Sequence, residues 1–233
     1  MQSHSYQVRR GQLQTYFDRT AVDAWARLTS TAPVSKIRAT VRAGRDRMRC
    51  TLLAYLPADL MSSRVLDAGC GTGALSVEAA RRGAQILAVD LSPTLVQLGR
   101  ERLPTQLGAG TIEFRVGDML DAGFGEFDHV VAMDSLIHYP LADVLRVLGE
   151  FAARTRRSIV FTFAPGTPAL RLMWTVGRLF PRRNRAPAIE PIAELALRRG
   201  LALEPALKAW RVGRTQRIES GFYKSQAMEL TRT

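Results

Sequence analysis

Residues that commonly hold metals or disulfides are scarce in this sequence. Among its 233 residues, cysteine occurs only at positions 50 and 70, and histidine only at positions 4, 129 and 138. The two cysteines do not form a metal-spaced pair, and nothing in their placement indicates a disulfide framework. Three dispersed histidines also supply no metal-binding cluster. We therefore expect no bound metal and a reducing, cytoplasmic setting.

Long apolar runs are missing as well. No stretch of about 18 apolar residues occurs, so the sequence predicts no transmembrane helix. The first ten residues are polar and lack the apolar centre of a signal peptide. With 46% hydrophobic residues, a chain of this length can nevertheless bury the core of one sizeable domain, with a small appended subdomain.

Lysine and acidic residues are few, and arginine dominates the charge. Only three of the 33 basic residues are lysines, and the formal net charge is +12. Residues 1–60 contain ten basic and four acidic residues, while residues 151–189 contain eight arginines and no acid. Two interpretations stay open. The arginines reflect the compositional bias of a GC-rich genome, or they form surfaces that suit anionic substrates, acidic partners or anionic lipid headgroups.

The most informative stretch runs from Val65 to Ser76. Apolar residues at its start predict a buried strand, and three alternating glycines then allow a sharp turn and close approach to a ligand. The glycines are Gly69, Gly71 and Gly73. The residues from Ala74 onward predict a helix with an apolar face, which Gly83 is placed to cap. A ligand at this turn would meet backbone N–H groups and a helix N-terminus.

Two cofactor classes use such a turn, and Asp67 distinguishes them. Gly69, Gly71 and Ala74 also fit the dinucleotide pattern G-x-G-x-x-A. A carboxylate at the mouth of the turn would repel a pyrophosphate, whereas it would attract the cationic amino-acid end of S-adenosylmethionine. The acid followed by alternating glycines resembles motif I of the class I S-adenosylmethionine-dependent methyltransferases. The resemblance implies that Cys70, inside the turn, also lies against the cofactor.

Apolar segments alternate with amphipathic ones after residue 64, which predicts a parallel sheet with helices on both faces. After the first strand, further strands are expected at 85–89, 111–116, 127–133, 158–163, 201–208 and 222–230. A helix is expected over 191–199, closed by Gly200. The resemblance implies a Rossmann-like α/β fold with a seven-stranded, mostly parallel sheet, in which a terminal hairpin inserts one antiparallel strand.

Two helices are expected ahead of this sheet, one beginning at Gly11 and one spanning Ser35–Leu56. We expect residues 1–60 to form a helical arm that covers the cofactor as a lid. Residues 61–233 are expected to form the methyltransferase domain. Within it, residues 165–190 combine Gly-Pro punctuation with a basic amphipathic stretch, and we expect them to form an insertion that covers the substrate.

Acidic residues follow four of the predicted strands, at the sheet edge where ligands bind in such folds. They are Asp67, Asp90, Asp118 and Asp134. Asp90 lies 17 residues after the last glycine, a spacing at which an acid bonds ribose hydroxyls. Asp118 is placed to accept from the adenine amino group. Each acid alone is as easily a helix cap, but four at successive strand ends favour a cofactor site. The expected set also contains Leu91, Ser92, Met119 and Ser135.

Short motifs along nearly the whole chain carry a more specific resemblance. They are Tyr16-Phe17, Ile137-His138-Tyr139-Pro140, Phe163-Ala164-Pro165, Gly177-x-Leu179-Phe180-Pro181 and Phe222-Tyr223-x-Ser225. Together they are similar to the magnesium-protoporphyrin IX O-methyltransferases of chlorophyll and bacteriochlorophyll synthesis. The resemblance implies transfer of the methyl group of S-adenosylmethionine to a propionate carboxylate of Mg-protoporphyrin IX, which gives the monomethyl ester.

His138 is the first catalytic candidate, since it follows the fourth strand on the cofactor side. It would orient the carboxylate or accept a residual proton, and the alternative is a structural histidine. Tyr16 is the second, because it could cover the methionine end of the cofactor, although a core aromatic explains it as well. Phe17 beside it belongs to the cofactor set, as does Arg42, which could grip the cofactor carboxylate in competition with neighbouring arginines.

The basic stretch supplies the substrate candidates, Trp174, Arg182 and Arg183. They suit an apolar, anionic macrocycle, and an ordinary helix core with arginine bias is the alternative. The partners considered are the large subunit of magnesium chelatase and an anionic membrane, with peripheral attachment to the inner or photosynthetic membrane.

Three other functions stay open. A different small-molecule O-methyltransferase would keep the cofactor and change the acceptor. An NAD-dependent dehydrogenase would have to hold a pyrophosphate beside Asp67. A basic RNA-binding module would use the net charge for phosphate contacts. No paired aromatics on a predicted strand support RNA, and the fourth strand lacks the Asn/Asp-Pro-Pro-Tyr motif of nucleic-acid base methyltransferases.

Overall fold

A computed structural model of the chain describes residues 4–19, 35–166 and 189–233. Within these residues the strands form one seven-stranded sheet in the order β3-β2-β1-β4-β5-β7-β6. The strands are β1 (Arg64–Ala68), β2 (Gln85–Asp90), β3 (Thr111–Val116), β4 (Phe127–Ala132), β5 (Thr155–Phe163), β6 (Trp210–Ser220) and β7 (Tyr223–Arg232). β7 is antiparallel to both of its neighbours, β5 and β6, whereas the other neighbouring strands pair in parallel. The predicted fold and its inserted antiparallel strand are confirmed.

Helices cover both faces of this sheet. They are α1 (His4–Arg19), α2 (Lys36–Tyr55), α3 (Ala74–Ala80), α4 (Pro93–Glu101), α5 (Leu141–Ala152) and α6 (Glu194–Leu203). Neighbouring strand residues point to opposite faces, so Val65 belongs to the core beneath α2, α3 and α4, and Leu66 to the core beneath α5 and α6. Both are fully buried. This two-sided burial explains why the central strands are apolar throughout rather than alternating.

The local signals around the glycine turn act as the sequence predicts. Ser92 caps α4 by accepting from the Leu95 N–H at 3.2 Å, and Pro93 occupies the first turn. Gly83 has φ +92° and its N–H bonds the Ala80 carbonyl at 2.8 Å, which closes the turn after α3. Strand order reverses between β1 and β4, and this switch point fixes where a ligand binds.

The expected end of the helix at Gly200 is wrong. α6 begins at Glu194 rather than 191 and continues through Gly200 to Leu203. Gly200 serves packing, since a Cβ there would lie 2.5 Å from Leu145 Cδ1 on α5. The next residue, Leu201, is buried in the core and keeps the helix on the sheet.

The sixth strand is also not where the sequence predicts it. Residues 201–208 form the end of α6 and a 3₁₀ turn over Pro205–Leu207, and β6 follows at Trp210–Ser220. Pro205 has no N–H and starts the turn after the helix. β6 is an edge strand with mostly exposed residues, so its arginines hide the apolar alternation that marks an inner strand.

The N-terminal region is helical, as expected, but α1 begins at His4 rather than near residue 11. α2 begins after Ser35, whose hydroxyl accepts from the Arg38 N–H. Among the helices that the structure describes, none is long and apolar enough to cross a membrane.

Candidate active site

A cavity of about 620 Å³ lies at the carboxyl edge of the sheet, beside the β1–β4 switch point. On the side of the sheet it is lined by residues in or just after the carboxyl ends of β1, β2, β3 and β4. Its roof consists of Tyr6, Leu13 and Phe17 from α1 and Arg42, Arg45, Asp46 and Arg49 from α2. The predicted cofactor residues lie in its wall, with three exceptions: Tyr16, Gly73 and Ser92. His138 lies in the wall as well.

The glycine turn requires left-handed backbone at all three of its glycines, whose φ angles are +80°, +54° and +76°. Two of them also allow close approach. A Cβ on Gly69 would lie 2.5 Å from Ser135 Cβ, and one on Gly73 would lie 2.6 Å from Phe114 Cζ. Gly73 therefore serves packing behind the cavity wall, while Gly69 brings the end of β4 against the end of β1.

Asp67 is fully buried beneath the glycine turn. Its carboxylate accepts from the Ser76 hydroxyl at 2.6 Å. Burial raises the pKa of Asp67 to about 6; the Asp90 charge adds to the shift, and hydrogen bonds from Ser76 oppose it. Ionising a buried carboxylate costs free energy, and a cation bound nearby lowers that cost. This position therefore fits a positively charged ligand group.

Asp90 closes the turn from the β2 side. It accepts from the Gly71 N–H at 2.8 Å and the Ser92 N–H at 2.9 Å. Burial raises its pKa, against these backbone hydrogen bonds. The two bonds hold the carboxylate at the cavity wall beside Leu91. Ser92 is not in the wall; besides capping α4, its hydroxyl donates to Asp18 of α1 at 2.7 Å.

Asp118 is bound by the N-terminal helix. It accepts from the Tyr6 hydroxyl at 2.7 Å through one oxygen and from Arg10 at 2.7 Å through the other. The Leu120 N–H also donates to it, at 2.9 Å. The structure thus brings α1 to the position at which the sequence predicts an adenine amino group.

Asp134 is the fourth strand-end acid, and it receives donors from three elements. Arg45 of α2 donates at 2.8 Å and the Tyr223 hydroxyl of β7 at 3.0 Å, while Ser225 and Thr162 each lie at 3.3 Å. Its side chain is 6% exposed. The next residue, Ser135, has a buried hydroxyl with no hydrogen-bond partner among the described residues.

His138 is buried at the end of a 3₁₀ turn over Leu136–His138. Its ring meets Phe17 edge-on, with centroids 6.2 Å apart. Tyr16, the other catalytic candidate, is half-buried, packs edge-on against Phe17 at 5.2 Å, and is not in the cavity wall.

The tyrosine that α1 does bring to the cavity is Tyr6, which stacks on Tyr139 with centroids 5.1 Å apart. Burial and the Asp118 charge raise its pKa, so its hydroxyl stays a donor. Tyr6 is not among the residues predicted from the sequence, because the predicted helix begins only at Gly11. Tyr6, Leu13 and Phe17 recur at helical spacing, and extending that stripe backwards would have found it.

The arginines on the cavity side of α2 were only partly anticipated. Arg42 is half-buried in the wall. One and two turns further on, Arg45 pairs with Asp134, and Arg49 pairs with Asp46 at 2.9 Å and Glu78 at 2.5 Å. The substrate candidates Trp174, Arg182 and Arg183 lie outside the described residues.

A strand, a left-handed glycine turn and a helix, with acids in the last residues of β1 and β2 in a sheet of this order, define a class I S-adenosylmethionine-dependent methyltransferase. A methyltransferase-domain model matches residues 65–158. A second model, described as the C-terminus of magnesium-protoporphyrin IX methyltransferase, matches residues 132–232.

Relatives that match more than nine-tenths of this chain identify the family within this class. The chain is 51% identical to the magnesium-protoporphyrin O-methyltransferase of Rhodobacter capsulatus over 94% of this chain and 95% of that protein. It is 28% identical to the chloroplastic magnesium protoporphyrin IX methyltransferase of Arabidopsis thaliana, over 93% and 69%. The crystal structure of the Synechocystis PCC 6803 magnesium protoporphyrin IX methyltransferase with bound SAH matches with a TM-score of 0.82 at 28% identity, covering 96% of this chain and all of that one. The chain belongs to the magnesium-protoporphyrin O-methyltransferase family, and the resemblance is confirmed.

Proposed function

We propose that the protein transfers the methyl group of S-adenosylmethionine to a propionate carboxylate of Mg-protoporphyrin IX, giving the monomethyl ester in chlorophyll or bacteriochlorophyll biosynthesis. The observation that carries this proposal is the nearly full-length likeness to the Rhodobacter capsulatus protein of that name. The cavity at the switch point supplies a site of the required chemistry.

The residues of the cavity wall fit the cofactor. Asp67 offers a buried carboxylate whose ionised form a sulfonium or ammonium group would stabilise. Asp90 is held in place by two backbone N–H groups and would accept from ribose hydroxyls. Leu91 and Met119 offer apolar contact to an adenine ring, and Arg42 offers a cation for the amino-acid carboxylate. Cys70 stays a neutral thiol, because burial and the nearby acids raise its pKa.

When bound, the cofactor supplies a methyl group on a positively charged sulfur. The acceptor carboxylate is ionised at neutral pH, with a reference pKa of about 4, so the protein needs no strong base. Its residues hold the carboxylate oxygen in line with the sulfur and keep water out. Tyr6, Leu13 and Phe17 of α1 line the cavity and would exclude water from it.

His138 is the residue proposed to meet the acceptor. It is buried, lies in the cavity wall and follows the strand end at which Ser135 touches the glycine turn. From there it holds the carboxylate by a hydrogen bond or takes a residual proton from it. Tyr16 packs behind Phe17. We assign it support of that ring rather than contact with the reacting atoms.

Residues 1–60 form the proposed cover, and residues 61–233 the proposed catalytic domain. The contacts support a narrower version of the lid, in which α1 opens and α2 stays. We propose that Trp174, Arg182 and Arg183, within the 165–190 insertion, meet the macrocycle and its second carboxylate. Their support is compositional: eight arginines and no acid between 151 and 189.

We also propose that the protein attaches peripherally to an anionic membrane and receives its substrate there from the large subunit of magnesium chelatase. The macrocycle is apolar and anionic, so a surface-bound enzyme would meet it at high local concentration. One described surface supports this. Phe222, 77% exposed at the β6–β7 turn, lies near the start of α2, where Ile37 is 58% exposed. Two of the three lysines, Lys36 and Lys224, flank them.

Equilibrium binding to the purified protein separates the candidate functions. S-adenosylhomocysteine should bind, while NAD and a generic RNA at matched ionic strength should not. Tight NAD binding with no S-adenosylhomocysteine binding would favour the dehydrogenase, and salt-dependent RNA binding alone would favour the RNA module. A panel of carboxylate, phenol and catechol acceptors then tests the remaining alternative, since another small-molecule O-methyltransferase would prefer one of these to the porphyrin.

A further inference from the structure

The backbone at Asp134 adopts a left-handed conformation, which is uncommon in residues other than glycine. Its φ is +54°, and among the described residues only Ser62 shares a positive φ without being glycine. Thr162 of β5 fixes this turn by accepting from the Asp134 N–H at 2.7 Å. Strained backbone of this kind persists where surrounding contacts over-determine it, and it clusters at functional sites.

Side chains from three elements supply those contacts. Arg45 donates from α2 at 2.8 Å, Tyr223 and Ser225 donate from β7 at 3.0 and 3.3 Å, and Thr162 donates from β5 at 3.3 Å. Tyr223 also packs against α2, since a Cβ on Gly44 would lie 2.6 Å from its ring. The carboxylate is therefore the common acceptor where α2, β5 and β7 meet.

Asp134 lies two residues before the 3₁₀ turn that carries His138. Ser135 packs on Gly69 so closely that the glycine admits no Cβ, and Leu136–His138 then places His138 in the cavity wall. The position of His138 relative to the glycine turn thus depends on the backbone path at residue 134.

We propose that Asp134 is a positioning residue: its carboxylate, held by Arg45, Tyr223 and Ser225, sets the backbone turn that places Ser135 against the glycine turn and His138 in the cavity wall. It acts through these groups and not by contact with the reacting atoms. The kinetic part of this inference rests on the proposed function. The structural part does not.

Asp134→Asn is the sharpest test, because the amide keeps the shape and the tolerance for positive φ but turns an NH₂ or a neutral oxygen toward Arg45. We expect kcat to fall on the order of 100-fold, the scale for a small misplacement of a catalytic group, with the Kd for S-adenosylhomocysteine changed by less than about threefold. Tyr223→Phe removes one donor and should shift kcat in the same direction by less.

A double variant with Arg45 distinguishes a positioning role of Asp134 from a simple loss of stability. Arg45→Gln alone leaves the buried carboxylate without its cation, whereas the double variant Arg45→Gln with Asp134→Asn restores a neutral pair. The double variant should be more active than the product of the two single losses predicts. Asp128→Asn is the matched control. Asp128 lies near the start of β4, the strand that precedes Asp134, and it accepts the Arg64 N–H at 2.9 Å far from the cavity.

Hydrogen exchange supplies a measurement that needs no substrate. In the S-adenosylhomocysteine complex, Asp134→Asn should raise exchange in peptides spanning 133–140, while Asp128→Asn should not. The inference is overturned if exchange there is unchanged, if kcat falls no further than in Asp128→Asn, or if cofactor affinity falls in parallel with kcat/KM, which would make Asp134 a direct cofactor ligand. Absence of methyl transfer by the wild-type protein would instead refute the proposed function and leave the exchange result to decide this inference.

Discussion

The two N-terminal helices both cover the cavity, but they are attached in different ways. α2 buries four large apolar side chains, Met48, Leu52, Leu53 and Tyr55, in the core beneath it. Arg214 of β6 closes its C-terminus by donating to the Ala54 and Tyr55 carbonyls. α2 is thus a permanent part of the fold, and its cavity arginines stay in place.

α1 buries fewer apolar side chains than α2 and adds polar contacts along its length. Tyr6 and Leu13 are its buried apolar residues. Pairs from Arg9 to Glu190, from Arg10 to Asp118 and from Asp18 to Ser92 hold the rest. Such partly exposed pairs contribute little individually. From this comparison we propose that α2 stays in place over the cofactor site, whereas α1 opens to admit the cofactor.

The largest expected effect on kcat is at His138. This residue belongs to the turn that follows β4, whereas its neighbour Phe17 belongs to α1. His138→Ala should lower kcat about 10²–10⁴-fold with cofactor affinity nearly intact, since the residue acts on the acceptor. Phe17→Ala should change kcat by less than about tenfold, because it removes cover only. Steady-state kinetics on Mg-protoporphyrin IX measure both.

His129→Ala is the control for loss of a buried histidine, because His129 sits inside the sheet with Nδ1 2.7 Å from Ser158 Oγ. It should lower stability and leave kcat unchanged in the protein that remains folded. Wild-type turnover by His138→Ala would make that histidine structural.

A matched leucine pair tests the difference in attachment directly. Leu52→Ala in α2 should lower the free energy of unfolding by about 2–5 kcal/mol, as for other fully buried leucines. Leu13→Ala in α1 should lower it by less than about 1 kcal/mol, because a helix that opens separately adds little to global stability. Urea unfolding monitors both. Equal losses would show that α1 is as integral to the fold as α2.

Releasing α1 should weaken cofactor binding. Asp118→Asn weakens the bonds from Tyr6 and Arg10, and we expect S-adenosylhomocysteine to bind about 1.5–3 kcal/mol less tightly, the scale for hydrogen bonds to a charged group. Hydrogen exchange across residues 4–19 should rise, and Asp121→Asn, an exposed turn cap, should change neither quantity.

Replacing the donors rather than the acceptor identifies the cause. Tyr6→Phe with Arg10→Gln leaves Asp118 intact. If this double variant frees α1 but binds the cofactor normally, Asp118 acts on the cofactor itself, as the sequence predicts.

The smallest expected effect is the pH dependence of stability and of cofactor affinity, which we attribute to Asp67 beneath the glycine turn rather than to α1. Burial raises the pKa of Asp67 to about 6, above its unfolded value of about 4. Its contribution to apoprotein stability is therefore fully present below pH ~4 and lost as the pH rises through about 6. A bound cation favours the ionised form, so affinity for S-adenosylhomocysteine should increase across that window and level off above it. Isothermal titration in buffers of different ionisation enthalpy detects the released proton.

The increase of S-adenosylhomocysteine affinity with pH should persist in Asp118→Asn, since Asp67 lies beneath the glycine turn and not under α1. The same increase should become smaller in Asp67→Asn. A slope that disappears when α1 is released would assign it to the cover instead.

Sequence reasoning recovered what is encoded locally. The glycine turn, the Ser92–Pro93 helix start and the inner strands each carry their signal within a few residues, and the structure has them where expected. The positions of Asp67 and Asp90 at the ends of β1 and β2 follow from this, because a parallel sheet brings strand ends together. The seven-stranded sheet and its antiparallel strand were predicted from the resemblance to the family.

Contacts between distant segments could not be predicted. Asp118 is bound by Tyr6 across 112 residues and Asp134 by Arg45 across 89, and no short pattern records such pairs. Gly200 was misread because a glycine that admits a neighbouring leucine looks, in sequence, like one that ends a helix. β6 was missed because an exposed edge strand need not alternate.

The most direct test of the proposed methyl transfer is a single-turnover reaction with S-adenosylmethionine carrying a deuterated methyl group. The purified protein, Mg-protoporphyrin IX and this cofactor are mixed, and the porphyrin is examined by mass spectrometry before and after mild ester hydrolysis. The proposed function predicts one labelled methyl per macrocycle, released by hydrolysis as labelled methanol, with a far slower reaction in His138→Ala. Unlabelled porphyrin from a protein that binds S-adenosylhomocysteine, or label that resists hydrolysis, would contradict it.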